Sequence, residues 1–177
     1  LELMDPLGDA NAPANWRAST AHFGTPGTVS VAPPPGAVVL SEIMATNRTS
    51  VPNAGTYPDW IELHNTSSDP VDLGGWSLTD DGNARQFVFP PGTSIASNGF
   101  LVVWCDSATN TTPGLHAGFA LNREGESVFL FDASTSLVDA VAFGLQLPDS
   151  SVGRIGGAWQ LNRPTPNAAN VPATLAA

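Results

Sequence analysis

The side chains able to do chemistry are few and scattered. His22, His64 and His116 lie far apart, and none has a second His or Cys two to five residues away, so no local pair for a transition metal is present. Each reads as a surface or loop histidine. The single cysteine, Cys105, can close no intramolecular disulfide and build no zinc ribbon; it sits in an apolar run and reads as a small buried hydrophobe. No G-x-S-x-G elbow, P-loop or dinucleotide glycine fingerprint occurs, which points to a non-enzyme. Oxygen ligands are better represented. Asp80, Asp81 and Asn83 crowd around Gly82, while Asp106 and Asn110 lie in a second polar stretch, and two such loops brought together would suit calcium, the one cofactor these residues suggest. The spacing departs from the EF-hand pattern, since Leu78 stands two residues before Asp80. Ordinary Asx turns explain the same residues.

Two further sets deserve notice. In DWIELHN the residues Trp60, Glu62 and His64 share one face of a strand. If that face is covered, the Glu62 carboxylate needs a partner, and Arg154 in SVGR is the cation expected to supply it. Trp60 and Trp104 fall opposite the expected core pairs, so they are candidate surface aromatics for a sugar or peptide, unless the loop from Asp106 to Gly118 packs over Trp104.

The elements that must position these groups are short. Gly (17) and Pro (16) punctuate a chain of 177 residues whose intervening segments are rich in Val, Ile, Leu, Phe and Trp, the pattern of an all-β sandwich or barrel. In AVVLSEIMATN, Val39 and Ile43 are expected on the core face; in DWIELHN, Ile61 and Leu63. DPVDLGGWSLTDD places Val71 and Leu73 at odd positions but Trp76 and Leu78 at even ones, so one face holds all four only with an extra residue, and Gly74 and Gly75 are the expected bulge. Phe87 and Phe89 alternate before a stop at Pro90, Pro91 and Gly92. GFLVVWCD puts Leu101, Val103 and Cys105 on one face. FALNREGESVFLFD suggests strands on both sides of a turn at Asn122 to Gly125, SLVDAVAFG a hairpin partner, and SSVGRIGGAWQLNRPTPN a closing strand, glycine turn and proline-broken exit.

Charge sets the class of partner. Sixteen carboxylates face six arginines with no lysine, a net charge of −10 that repels phosphate backbones, so no nucleic-acid partner is expected. No run reaches the roughly 18 to 20 apolar residues of a membrane helix. Residues 1–36 differ in texture: Trp16 precedes a Thr, Gly and Pro decline, and Pro33 to Pro35 read as a stiff linker. The ending with Trp159, Pro164, Pro166 and Asn167 echoes Trp16, Thr25, Pro26 and Gly27, which would make the opening residues the tail of a preceding module. Because the sequence opens inside structured-looking residues, it reads as a piece of something larger.

Taken in order, SEIMATN, DWIELHN, DLGGWSLTDD, FVFPPGTSI, GFLVVW, LNREGE, VDAVAFG, SVGR and the terminal W...PTPNAAN resemble the lamin tail domain, and particularly its bacterial secreted relatives, over about residues 37 to 170. The resemblance implies an immunoglobulin-like β-sandwich, with Trp76 in the strand after the bulge and Trp104 ending a central strand. Animal members bind chromatin and membrane partners through basic surfaces, from which this acidic chain departs. Bacterial members are modules of large extracellular proteins. The expectation is thus a remnant and linker at 1–36, a sandwich at 37–170 and a tail at 171–177. Its role would be non-catalytic and structural: adhesion or scaffolding in a secreted or surface-attached protein, monomeric by itself, contacting other domains of that protein or extracellular proteins and glycans. The alternative is a targeting appendage of an extracellular hydrolase such as a nuclease or phosphatase.

Overall fold

The computed structural model describes residues 2–3, 11, 16–17, 36–106 and 112–174. Strands β1 (Glu2–Leu3) and β2 (Trp16–Arg17) pair with each other; the remainder of the remnant and linker expected at 1–36 lies outside the described residues, apart from Asn11 and Gly36. From Val38 onward two sheets face one another. The larger holds β3 (Val38–Met44), β4 (Asp59–Asn65), β9 (Phe100–Cys105), β10 (Leu115–His116), β13 (Ser151–Ile155), β14 (Ala158–Arg163) and β15 (Val171–Pro172), in the order β10-β9-β4-β3-β13-β14-β15. Its ladders are antiparallel except for β10 on β9. The smaller holds β6 (Ser77–Thr79), β7 (Phe87–Val88), β11 (Glu126–Phe131) and β12 (Leu137–Phe143), in the order β12-β11-β6-β7. A two-stranded ribbon of β5 (Val71–Asp72) and β8 (Ser94–Ile95) completes it. The architecture is an immunoglobulin-like β-sandwich, all-β as the punctuation implied.

The core between the sheets takes Val38, Leu40, Ile43, Ile61, Leu63, Val103 and Cys105 from one side and Leu78, Phe89, Val128, Leu130 and Val141 from the other. Each such aliphatic side chain contributes roughly 1.5 to 3 kcal/mol by leaving water. In β4, Ile61 and Leu63 are buried as the alternation required. In β3 the expectation fails at Val39, which is half-buried, while Val38 and Leu40 are inside. The reason is a bulge: Leu40 pairs with Leu63 and Glu42 with Glu62, so Ser41 is an extra residue. After it the inward parity switches from even to odd, and Ile43 and Ala45 continue the core.

The extra residue expected at Gly74 and Gly75 is not a bulge. These glycines make a turn between two different sheets, closed by the Trp76 N–H donating to the Leu73 carbonyl at 2.9 Å. Gly75 has φ +83°, a left-handed conformation that a side chain would strain. The turn still lets Val71, Leu73, Trp76 and Leu78 all reach the core, by changing sheets instead of adding a residue. Two smaller differences follow from pairing. Phe119 to Leu121 packs into the core without a strand partner, the strand being Leu115–His116; and Val171–Pro172, expected in the tail, is the edge strand beside β14.

Leu130→Ala is expected to cost about 2 to 5 kcal/mol in urea unfolding, whereas Leu145→Ala, at a position 63% exposed, should stay within about 0.5 kcal/mol.

Candidate functional site

The Ser41 bulge turns Glu42 and Met44 to the outer face of the larger sheet, where β4 presents Trp60, Glu62 and His64. The register then sets Glu42 directly opposite Glu62, and both are fully buried. They are closed over by the exit after β14. Glu42 is supplied with donors: the Ser151 hydroxyl, the Asn162 amide at 2.8 Å, and the Thr165 N–H (3.1 Å) and hydroxyl (2.9 Å). Glu62 receives the Asn167 N–H at 2.5 Å on Oε2, and its Oε1 has no hydrogen-bond partner. Asn170 ties the same segment to the bulge by donating to the Ser41 carbonyl at 2.9 Å and to the Arg154 carbonyl at 3.2 Å. The close approach needs Gly153, since a Cβ there would lie 2.6 Å from Asn170 Oδ1 and 2.9 Å from Asn162 Cγ.

This asymmetry assigns the protonation states. Burial raises the pKa of Glu42, and its four donor groups oppose the rise by favouring the charged form. Burial raises Glu62 to about 8, the negative charge of Glu42 adds to the rise, and the Asn167 N–H and nearby Ser41 hydroxyl work against it. With a pKa pushed up to about 8, Glu62 is mostly protonated at neutral pH.

Arg154 is not its partner, contrary to the sequence expectation. Gly153 is the residue opposite Glu42, so the next residue, Arg154, points to the other side of the sheet. There its Nη2 donates to both oxygens of Asp139 on β12, at 3.0 and 2.7 Å, and its guanidinium lies 5.2 Å from the Trp159 ring. Asp139 also accepts the Leu40 N–H at 2.8 Å, beside the bulge. One carboxylate thus joins β3, β12 and β13 across the two sheets.

The expected surface aromatics are covered. Trp60 is fully buried with Met44 and Val51, because the loop before β4 folds over the outer face. Trp104 is half-buried beside it, and Gly114 closes on its indole, where a Cβ would lie 3.0 Å from Nε1. At the other end of the stripe, His64 stacks on Phe100 with centroids 4.3 Å apart, and burial lowers its pKa.

The carboxylates singled out for calcium are engaged locally. Asp81 accepts from the Thr79 hydroxyl (2.6 Å) and from the Asn83 N–H (2.8 Å) and amide (3.0 Å), an Asx turn that holds its pKa low. Asp80 lies in the same turn, with its N–H donating to Gln86. Asp106 binds His116 Nδ1 at 2.7 Å, and His116 Nε2 faces the Thr112 hydroxyl at 3.1 Å. His116, read as a surface or loop histidine, lies in β10 and ties it to Asp106 just after β9. Asn110 lies outside the described residues. Among the described residues, no three His, Cys, Asp or Glu side chains form a metal-holding group.

Sequence reasoning missed an open groove of about 400 Å³ lined by Thr46, Asn47, Arg48, Asp59, Asn122 and Arg123, with Ala45 and Leu121 as its apolar part. Asp149 fixes one wall by accepting the N–H groups of Arg48, Thr49 and Ser50 at 2.9, 2.8 and 3.1 Å. The other wall is the Asn122 to Gly125 turn, where Asn122 Oδ1 accepts the Glu124 N–H and Glu126 accepts the Asn122 N–H.

The family model described as Lamin Tail Domain matches residues 31–144, more than half of the chain. The chain belongs to the lamin tail domain family. No curated protein sequence matches it. The matched span stops before β13, yet β13 is hydrogen bonded to β3 in the middle of the larger sheet, and the donors of Glu42 come from residues 151–165. In this lamin tail domain the segment after residue 144 is structurally integral. No helix among the described residues is long and apolar enough to cross a membrane.

The Glu62 pKa fixes a sign for pH dependence. Between about pH 4.5 and 8 the folded chain holds a proton that the unfolded chain has released, so stability falls as pH rises through this window and is lowest above it. Urea unfolding of the wild type should lose a few kcal/mol from pH 5 to pH 8, by order of magnitude, and Glu62→Gln should flatten that fall. Glu42→Gln, which puts an amide among donors, should instead cost about 1 to 3 kcal/mol at pH 7.

Proposed function

We propose that this lamin tail domain is a non-catalytic interaction module, serving adhesion or scaffolding in a larger secreted or surface-attached bacterial protein. The family, a β-sandwich interaction module, supports the coarse reading. The observation that carries the rest is the closure of the Glu42 and Glu62 pair by residues 165–170. The two most unusual acids of the molecule are spent on holding the chain's exit against the sheet, and a stiff, self-closed sandwich suits a link in a series. The Pro33 to Pro35 run and the echo between Trp16 and Trp159 fit an arrangement in which residues 1–36 end one module and enter the next. The groove beside Arg48 and Arg123 favours a second reading, a targeting appendage of an extracellular hydrolase.

The Asp106, His116 and Thr112 chain has the order of an acyl-transfer relay, which makes the test direct. The purified chain is expected to show no turnover of ester, phosphomonoester or DNA substrates above buffer, and no retardation of DNA at low salt. Hydrolysis abolished by His116→Gln would overturn the non-catalytic reading.

A further inference from the structure

Residues 165–172 cross the outer face of the larger sheet without burying an apolar side chain there. Ala168, Ala169, Val171 and Pro172 are exposed, and Pro166 is half-buried. Polar bonds hold the segment instead, and they converge on two acids. Thr165 gives its N–H (3.1 Å) and hydroxyl (2.9 Å) to Glu42, Asn167 gives its N–H to Glu62, and the Asn170 amide reaches the Ser41 carbonyl. Beyond them β15 adds only the pairs of Val171 with Arg163 and Pro172 with Asn162. A segment with so little apolar burial belongs to the low end of local stability, so it opens more readily than the strands beneath it.

What lies under it decides when. Glu42 and Glu62 face each other with no exposed surface, and Glu62 Oε1 has no donor. Among the described residues no cation faces the pair. On β9 this face carries Phe100, Val102 and Trp104, and residues 165–170 include no ionisable side chain. Arg154 and Arg163 each follow a residue that faces the pair, Gly153 and Asn162, so alternation turns them to the other side of the sheet. His64 shares the face, but burial lowers its pKa and it stays neutral from pH 7 upward. A second negative charge could be stabilised here only by water, which the closed segment excludes.

We propose that residues 165–172 are a pH-released strap: loss of the Glu62 proton to solvent leaves two facing carboxylates, and the strap lifts to let water reach them while the sandwich stays folded. The direction follows from the closed form. Burial pushes Glu62 up to about 8 from 4.5, and water entering the open form removes that cause, so closure is favoured at low pH and loses its advantage as pH rises through this range. The device belongs to the fold and holds whatever the module contacts.

The test is hydrogen exchange of the whole chain at pH 7 and pH 9.5, with each amide rate compared to its unstructured rate at the same pH. At pH 7 the Thr165 and Asn167 amides should be less protected than those of β4. By pH 9.5 they should lose about tenfold more protection and remain below β4, with the circular dichroism of the folded sandwich retained. Glu62→Gln, which has no proton to lose, should show the same strap protection at both pH values. Equal protection of strap and β4 would mean that the segment opens only with the whole sandwich, which overturns the proposal. Strap protection indifferent to pH, or falling as far in Glu62→Gln, would overturn it too. The comparisons of strap with β4 and of pH 7 with pH 9.5 use the wild type, so they decide the matter even if the variant does not fold.

Discussion

Two carboxylates that face each other across neighbouring strands, both shut away from water, cannot both be charged at tolerable cost. Much of the outer face of this sandwich answers that constraint. Ser151, Asn162 and Thr165 converge on Glu42 and favour its charged form, while burial with few donors favours the proton on Glu62. The donors come from β13, β14 and the exit segment, so the pair can be buried only when the last third of the chain is in place. The constraint binds distant sequence into one fold.

The bulge at Ser41 is the local cause. Without it, Glu42 would share a face with Leu40 and point into the apolar core. With it, the core stripe of β3 is continuous in space although broken in sequence, and Asp139 takes up the Leu40 N–H beside it. The same step of parity along β13 separates Gly153, which makes room over the carboxylates, from Arg154, which clamps the opposite sheet.

Legibility in the sequence followed regularity of the backbone. DWIELHN is a flat, uninterrupted strand, so its alternation disclosed Ile61 and Leu63 inside and a Glu62 stripe on the reverse. The face of β3 was misread because nothing in VVLSEIM announces an extra residue, and the parity break at Gly74 and Gly75 was real but was a change of sheet. The family emerged from the order of motifs. The partner of Glu62 was not legible, since it is a backbone N–H from residue 167, which leaves no complementary charge to find. Nor was the groove, whose walls are two loops joined only by the fold.

Among the described residues the larger sheet has two edges, β10 and β15, and in β15 Pro172 pairs with Asn162. Proline has no N–H to offer a further strand and cannot continue a ladder outward. A strand laid against this edge would find no N–H at Pro172, so the edge does not template pairing there.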